Sequence, residues 1–310
     1  MFGKVGVIAF NSYREAVRAR VLHGLFALAL ATAGYCLVVG AFALRASFRV
    51  VSDLGAASIS LYGVVVAVVL GATSLYRELE LKTIFPILAR PLSRTQYLLG
   101  KYLGTALTLG VFIAADSGAL LLALGLMSGR SPWAVVGTAA GLTLIAAAFA
   151  YKRASLRSFM PIPWALGLLL AGAYFSGGAP DDRRVVLGSA LLTLSEVSIL
   201  TAIALVFSAF SSPFLTAIFT FGVFVVGRSA DTLSRLPTRV FGEAVASLGR
   251  WLASVVPNLM LYVPPRPLLT GEAASGSLVS YLAMATLHAA AWSALLLVLA
   301  SAIFRRRDFL

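Results

Sequence analysis

Long apolar runs separated by short polar connections dominate this sequence of 310 residues. A helix that spans a membrane needs roughly 20 mostly apolar residues, within a range of about 17–25. The runs that reach or approach this length are 22–46, 57–75, 102–127, 133–150, 162–177, 185–210, 214–228 and 278–304. A turn-like tripeptide, Ser211-Ser212-Pro213, divides the sixth run from the seventh. The pattern predicts an all-α integral membrane protein, a polytopic helical bundle with about eight transmembrane helices.

Two further segments are amphipathic and do not read as spans. In 1–21, apolar residues recur near helical spacing while Arg14 and Arg18 face elsewhere. This pattern predicts an interfacial helix that lies on the membrane surface. The outer segment 229–277 carries a second apolar stripe, which includes Trp251, and is then broken by several prolines. We expect that segment to lie flat on the opposite surface or to dip partly inward.

Composition supports the membrane assignment, since 60% of the residues are hydrophobic and only 12% are charged. A typical soluble domain has about 25% charged residues. One cysteine and two histidines argue against a disulfide framework or a metal site. The net charge of +13 comes from cations scattered singly between apolar runs, which argues against nucleic-acid binding. We expect these cations to set the orientation and to contact membrane lipid.

The cations also predict which ends of the spans are cytoplasmic. With the N-terminus inside, the inner segments hold 15 of the 25 Lys and Arg residues, and the outer segments hold 10. Half of those ten lie in one segment of about 50 residues, where the positive-inside rule has less force. We therefore expect one multi-pass transmembrane domain over 1–310, in a prokaryotic inner or plasma membrane, with both termini cytoplasmic.

An alternative exists for 133–177, which could form a re-entrant hairpin. The tip of such a hairpin would place Lys152, Arg153 and Arg157 near the middle of the membrane. Each buried charge there costs about 2.5–3.5 kcal/mol on insertion scales. Two full crossings avoid this cost and are the preferred interpretation.

The sequence contains no motif of a common enzyme class. It lacks G-x-x-x-x-G-K-[ST], H-E-x-x-H and G-x-S-x-G. The pair Asp181-Asp182 could hold a metal ion, but Arg183-Arg184 follow at once, so we expect a neutralised, solvated turn. We therefore expect no catalytic residue, no metal site and no resident cofactor.

Two acidic residues, Asp116 and Glu196, lie inside predicted spans, and His288 in the last span is a weaker candidate. An intramembrane carboxylate is costly and is a functional candidate by default. One hypothesis is an ion-coupled secondary transporter that uses Asp116 and Glu196; an intramembrane enzyme built on these acids or on His288 is the less favoured variant. The competing interpretation is hydrogen bonding to Ser and Thr neighbours such as Ser117.

The segment 77–101, RELELKTIFPILARPLSRTQYLLGK, is the most polar long stretch, with seven formal charges and two prolines. We expect the second span to continue into it as a helix. The helix should break at Ala89-Arg90-Pro91, because the residue before a proline is disfavoured in helical geometry. Ser93 should then cap the next helix. Apolar residues among the charges, and a length beyond what a turn needs, predict a docking surface.

These residues resemble those of a known family. RELELKTIFPILARPLSRTQYLLGKYLG is similar to the cytoplasmic loop of type-2 ABC exporter permeases, with its acidic start, threonine and L-x-R-P-x-S-R…Y-L-x-G-K pattern. NSYREAVRARVL resembles their opening interfacial helix, ALVFSAFSSPFLTAIF their tight inner hairpin and FRRRDF their basic tail. The sequence departs from the family at Lys82, where many relatives have glycine, and at 133–177, which reads as a pair of spans inserted into a six-helix core.

The resemblance implies a non-catalytic permease that dimerises, as a homodimer or a heterodimer, and binds two copies of a cytoplasmic ABC ATPase subunit. ATP and Mg²⁺ would be bound by that ATPase, and the loop 77–101 would act as a coupling helix seated on it. The coupling residues carried over from the family pattern are Glu78, Glu80, Lys82, Thr83, Arg90, Pro91, Arg94 and Tyr97, with Arg14 and Arg18 of the opening helix nearby.

Overall fold

The computed structural model describes residues 2–80, 93–272 and 277–306. Twelve α-helices make up most of these ranges, and no strand occurs within them. The helices, numbered in chain order, are α1 Phe2–Arg18, α2 Arg20–Phe42, α3 Ser47–Glu80, α4 Arg94–Met127, α5 Pro132–Lys152, α6 Pro161–Phe175, α7 Pro180–Ser208, α8 Pro213–Arg228, α9 Ala230–Ser234, α10 Thr238–Val255, α11 Arg266–Thr270 and α12 Leu278–Arg306. The predicted all-α class is confirmed for this part of the chain.

Six of the described helices are long and apolar enough to cross a membrane: α2, α3, α4, α5, α7 and α12. The two other predicted spans form helices of 15 residues (α6) and 16 residues (α8), which is short of the usual spanning length. The structure therefore indicates a multi-pass membrane protein. The count of eight spans stays a prediction.

The first two spans differ from their predicted bounds. α2 ends at Phe42, and a 3-10 turn at Leu44–Ala46 follows it. α3 begins at Ser47, ten residues before the predicted start at 57, and continues to Glu80. The polar start of α3 is helical because it is packed and paired: Val51 is fully buried and Arg49 lies 3.6 Å from Asp53 one turn later.

The core of the bundle is built by α3, α4 and α7. Its largest fully buried side chains include Ile59 of α3, Leu120 of α4 and Leu192 of α7. Small residues bring α3 and α7 together, since a Cβ atom at Gly71 would collide with Ala204. The peripheral helices instead expose large apolar side chains, as expected for surfaces that face lipid.

One end of the bundle, which we call the α1 end, gathers the ends of three helices, α4, α7 and α12, into a buried cluster. This terminal cluster consists of Tyr97, Leu98, Val206, Ala209, Ala300 and Phe304, with Ile8 of α1 packed against it. The predicted break between α7 and α8 lies at the same end and is confirmed: α7 ends at Ser208, and Ser212 caps α8 by accepting a bond from the Leu215 amide. The starts of α3 and α7 and the segment 229–272 lie at the opposite end.

The pair α5–α6 is attached to the bundle mainly through α6, which runs parallel to α4. Leu168 packs on Gly118 and Phe175 packs on Gly125, so the two helices stay in close contact over two turns. Within α5, only Val135 is buried. The turn between α5 and α6 returns to the α1 end, where Arg157 lines the same cavity as residues of the α1–α2 junction. This path favours two traverses of the bundle over a re-entrant hairpin.

Candidate functional site

The start of α4, at the α1 end, is the best defined part of the candidate site. Ser93 caps the helix as predicted: its hydroxyl accepts a bond from the Gln96 amide while the Gln96 side chain accepts one from the Ser93 amide. This reciprocal capping box satisfies two backbone donors at once. The helix that follows the connection 81–92 is therefore fixed from its first residue.

Arg94 and Tyr97 both bind the C-terminal part of α12. The Arg94 guanidinium donates to the carbonyl oxygens of Phe304 and Arg305, at 2.9 and 3.1 Å. A cation at this position satisfies carbonyls that have no partner within their own helix and complements the helix dipole. Tyr97 is 1% exposed and stacks on Phe304, with ring centroids 6.2 Å apart. Both predicted coupling residues thus join α4 to α12.

α1 packs across the first turns of α4 through two glycines. A Cβ atom at Gly100 would lie 2.5 Å from Ile8, and one at Gly104 would lie 2.6 Å from the Ser12 Cβ. Close helix approach of this kind requires small residues at the contact. Tyr13 is fully buried in the same region, and this burial raises the pKa of its hydroxyl to about 12.

The two predicted arginines of α1 lie on its outer side. Arg14 lies over the Phe10 ring at 6.0 Å from its centroid, a cation–π distance. Arg18, in the last turn of α1, is exposed. The structure thus shows Arg14 against a ring of its own helix and Arg18 exposed at the end of α1.

One contact of this region was missed from the sequence. The Lys101 ammonium is almost fully buried and lies 3.7 Å from the Glu15 carboxylate of α1. The sequence marks Lys101 only as one of the inner cations and as the end of the polar segment 77–101. Its position one residue after Gly100, on the face that α1 covers, is the signal that could have identified it as buried.

The other predicted coupling residues of the loop lie in the connection 81–92 or immediately before it. Glu78 and Glu80 lie in the last turns of α3, of which the structure describes the backbone course only. The predicted break and the residues Lys82, Thr83, Arg90 and Pro91 lie outside the described residues.

Glu196 has a partner that the sequence interpretation did not assign. The Arg228 guanidinium donates to both oxygens of the fully buried Glu196 carboxylate, at 2.6 and 2.8 Å, and to the Ser60 hydroxyl at 2.8 Å. A serine also contributes, because Ser60 of α3 hydrogen-bonds the Glu196 carboxylate, but the bidentate arginine is the stronger partner. Arg228 had been counted among the outer cations. It is the last residue of an apolar helix and 23% exposed.

Asp116 has different surroundings. It is 1% exposed, and its Oδ2 atom has no hydrogen-bond partner among the described residues. It interacts electrostatically with the buried thiol of Cys36 on α2. No hydrogen bond joins it to the neighbouring Ser117 hydroxyl, which also lacks a partner in the described ranges. Asp116 and Glu196, one on α4 and one on α7, form no ion pair or hydrogen bond with each other within those ranges.

His288 is held by the segment that follows α10. Its Nδ1 atom lies 2.8 Å from the Tyr262 hydroxyl, and its ring contacts Trp292 edge on at 6.4 Å between centroids. Tyr262 also bonds the Ala285 carbonyl at 3.3 Å. These contacts attach the outer segment to α12.

Asp181 and Asp182 do not form one solvated, neutralised turn, so that prediction is wrong. Asp181 pairs with Arg184 at 3.4 Å, but Asp182 is largely buried and pairs with Arg266 at 2.6 Å. Arg266 also binds Asp53, so it joins α3, α7 and α11. Burial lowers the pKa of Arg266, but the hydrogen bonds to Asp182 and Asp53 outweigh this effect and raise it.

The predicted polar residues thus lie in three separate places. Arg94 and Tyr97 bind α12 at the α1 end, Glu196 and Asp182 each pair with an arginine towards the opposite end, and the Oδ2 atom of Asp116 has no hydrogen-bond partner among the described residues. No group of three or more His, Cys, Asp or Glu side chains that could hold a metal ion occurs in the described part of the chain. In comparisons with known proteins, no family model and no curated protein matches this sequence. The resemblance to ABC permeases therefore rests on the sequence motifs alone.

Proposed function

We propose that this chain is the membrane-spanning permease subunit of an ATP-driven ABC transporter and acts as an exporter. A separate cytoplasmic ATPase binds ATP and Mg²⁺ and carries out hydrolysis, and the permease is non-catalytic. Two ATPase copies and a second permease copy complete the transporter. The α1 end faces the cytoplasm, so both termini lie on the side of the ATPases.

The observation that supports this proposal is the construction of the α1 end around the connection 81–92. That connection joins α3 directly to α4, and the terminal cluster joins α4 to α7 and α12. Arg94 adds a direct bond from α4 to the backbone of α12. A displacement of the connection would therefore be transmitted to four long helices.

A lever of this kind is what a permease needs if its energy source lies on another subunit. ATP-dependent closure of the ATPases would shift the connection 81–92 and so change the relative populations of the permease conformations. Arg90 lies within this connection, whereas Arg94 donates to the backbone of α12, so that substitution of Arg94 would also disturb the contact between α4 and α12. Arg90 is therefore the better position at which to test docking.

The test is purification of the tagged full chain from membranes of its native host, followed by identification of bound subunits and measurement of ATP turnover. We expect a subunit with G-x-x-x-x-G-K-[ST] and ATPase activity. Arg90→Glu should lower its recovery and ATP turnover several-fold, whereas Arg153→Glu, an exposed cation in the α5–α6 turn, should not. The proposal is refuted if no such ATPase is bound, or if Arg90→Glu leaves both quantities unchanged.

The ion-coupled alternative rests on Asp116, whose carboxylate is buried with an unpartnered oxygen in the described structure. It requires proton movement by the chain without any ATPase. Proteoliposomes that contain the chain alone and a pH-sensitive dye distinguish the two functions. The alternative expects gradient-driven proton flux that Asp116→Asn abolishes; the ABC proposal expects no flux in either protein.

A further inference from the structure

A cavity of about 540 Å³ lies between the α1–α2 junction, α4 and the α5–α6 pair. We call it the α5–α6 cavity. Its walls are almost entirely apolar, and Phe26 in its lining meets both Phe112 and Trp164 edge on, at 5.8 Å between centroids in each case. Trp164 also donates a bond to Thr143 at 3.1 Å, which joins the two helices of the pair. The volume is in the range of about 300–1,000 Å³ that is typical of ligand sites.

The lining of this cavity includes one permanent cation. Arg157 lines it, as does His23. The Arg157 side chain is exposed and makes no ion pair or hydrogen bond with any described residue. Nδ1 of His23 lies 3.0 Å from the Ala19 carbonyl oxygen, within its own helix. The cavity therefore combines apolar walls with a cation, Arg157, that has no acidic partner among the described residues.

The local sequence offers no acid to neutralise this charge. Between residues 131 and 180 the chain carries Lys152, Arg153 and Arg157, all next to the α5–α6 turn, and neither Asp nor Glu. Orientation alone would be served by cations at any exposed point of that turn. Arg157 instead lines an apolar cavity at the end of the bundle where α1 packs against α4.

An amphiphile with an apolar chain and an anionic head matches both features. Basic pockets between transmembrane helices bind the head groups of anionic lipids, and an acyl chain fills an apolar cavity that adjoins the bilayer. We propose that the α5–α6 cavity binds one anionic phospholipid, with an acyl chain along the apolar wall that includes Phe26 and Trp164 and its phosphate at Arg157. This site does not depend on the proposed transport function, since it involves neither the connection 81–92 nor the terminal cluster.

The position of Trp164 provides a direct test. A full-length variant keeps Trp164 and replaces the other tryptophans, Trp133, Trp251 and Trp292, with phenylalanine. It is reconstituted in phosphatidylcholine vesicles that contain increasing amounts of acyl-brominated phosphatidylglycerol or acyl-brominated phosphatidylcholine, and quenching of the Trp164 fluorescence is measured. We expect half-maximal quenching at an about fivefold lower mole fraction of the anionic lipid, the preference that one arginine near an anionic head group confers. Equal quenching by the two lipids would overturn the proposal.

Three controls separate this site from general lipid contact. Arg157→Gln should remove the preference for phosphatidylglycerol, whereas Arg153→Gln, in the same turn but outside the cavity lining, should keep it. Ala147→Leu, which fills the cavity, should weaken quenching by both lipids. Inorganic phosphate should not restore the fluorescence. A preference that survives Arg157→Gln, quenching that Ala147→Leu leaves unchanged, or recovery with phosphate would each contradict a bound lipid at this position.

Discussion

Removing the arginine of the Glu196–Arg228 pair tests how the buried charge of α7 is stabilised. Arg228 makes two bonds to the carboxylate, at 2.6 and 2.8 Å, and Glu196 is fully buried while Arg228 is 23% exposed. Arg228→Met therefore leaves an anion in the bundle without a cation. Loss of one partner of a buried ion pair costs about 3–5 kcal/mol, and we expect a loss of that size in the free energy of unfolding.

The difference in burial predicts that the two single substitutions are unequal. Glu196→Gln leaves an arginine that can still bind Ser60 and whose long side chain can reach towards water. Its expected cost is about 1.5–3 kcal/mol, the usual value of hydrogen bonds to charged groups. The double variant Glu196→Leu/Arg228→Met buries no charge. Its free energy of unfolding should lie within about 1 kcal/mol of that of the unmodified chain, or above it, since apolar replacements of buried pairs are often neutral or stabilising.

The assay is unfolding of the purified chain in mixed micelles by increasing SDS, followed by tryptophan fluorescence. Arg250→Met is the matched control, because the Arg250–Glu243 pair is exposed and its closest atoms are 3.7 Å apart. Exposed pairs contribute about 0–1 kcal/mol. If Arg228→Met were no more destabilising than Arg250→Met, or if the double variant were less stable than Arg228→Met, the buried pair would not have the role assigned to it.

Two further predictions concern packing and topology. Gly104→Val should lower the free energy of unfolding by about 1–3 kcal/mol, the usual cost of overpacking, because α1 lies against this position, whereas Gly137→Val, which meets open space, should have little effect in the same SDS titration. The topology is tested in a chain with Cys36 replaced by alanine. A cysteine introduced by Ser155→Cys should react with an impermeant maleimide only after cells are permeabilised, as should one introduced by Lys4→Cys. Labelling of Ser155→Cys in intact cells would contradict the two traverses of α5–α6.

Local patterns predicted those features that depend on neighbouring residues in the chain. The sequence predicts that Ser93 caps α4 and that Ser211-Ser212-Pro213 divides α7 from α8, because capping and turn preferences act over three or four residues. The same reasoning could not distinguish Gly100-x-x-x-Gly104 from Gly137-x-x-x-Gly141. Only the structure shows that α1 covers the first spacing and that the second has nothing against it.

The partners of the buried charges required the tertiary structure. Arg228 lies 32 residues from Glu196, and Arg266 lies 84 residues from Asp182. Sequence alone indicates that a buried carboxylate needs a cation, but it does not indicate which of the scattered arginines provides it. The early start of α3 has the same cause, because Asp53 and Ser52 are held by Arg266 from a distant helix.

The bond from Arg94 to Phe304 has a consequence for the order of synthesis. The two residues are 210 positions apart, so the ribosome makes α4 long before it makes the carbonyl groups that Arg94 binds. Tyr97 likewise cannot stack on the Phe304 ring until that residue has been synthesised. During biosynthesis the start of α4, which follows the connection 81–92, acquires its final packing only after α12 has entered the membrane. In a chain truncated before α12, the start of α4 would lack its contacts with Phe304. Formation of the proposed docking surface therefore depends on synthesis of the chain through α12.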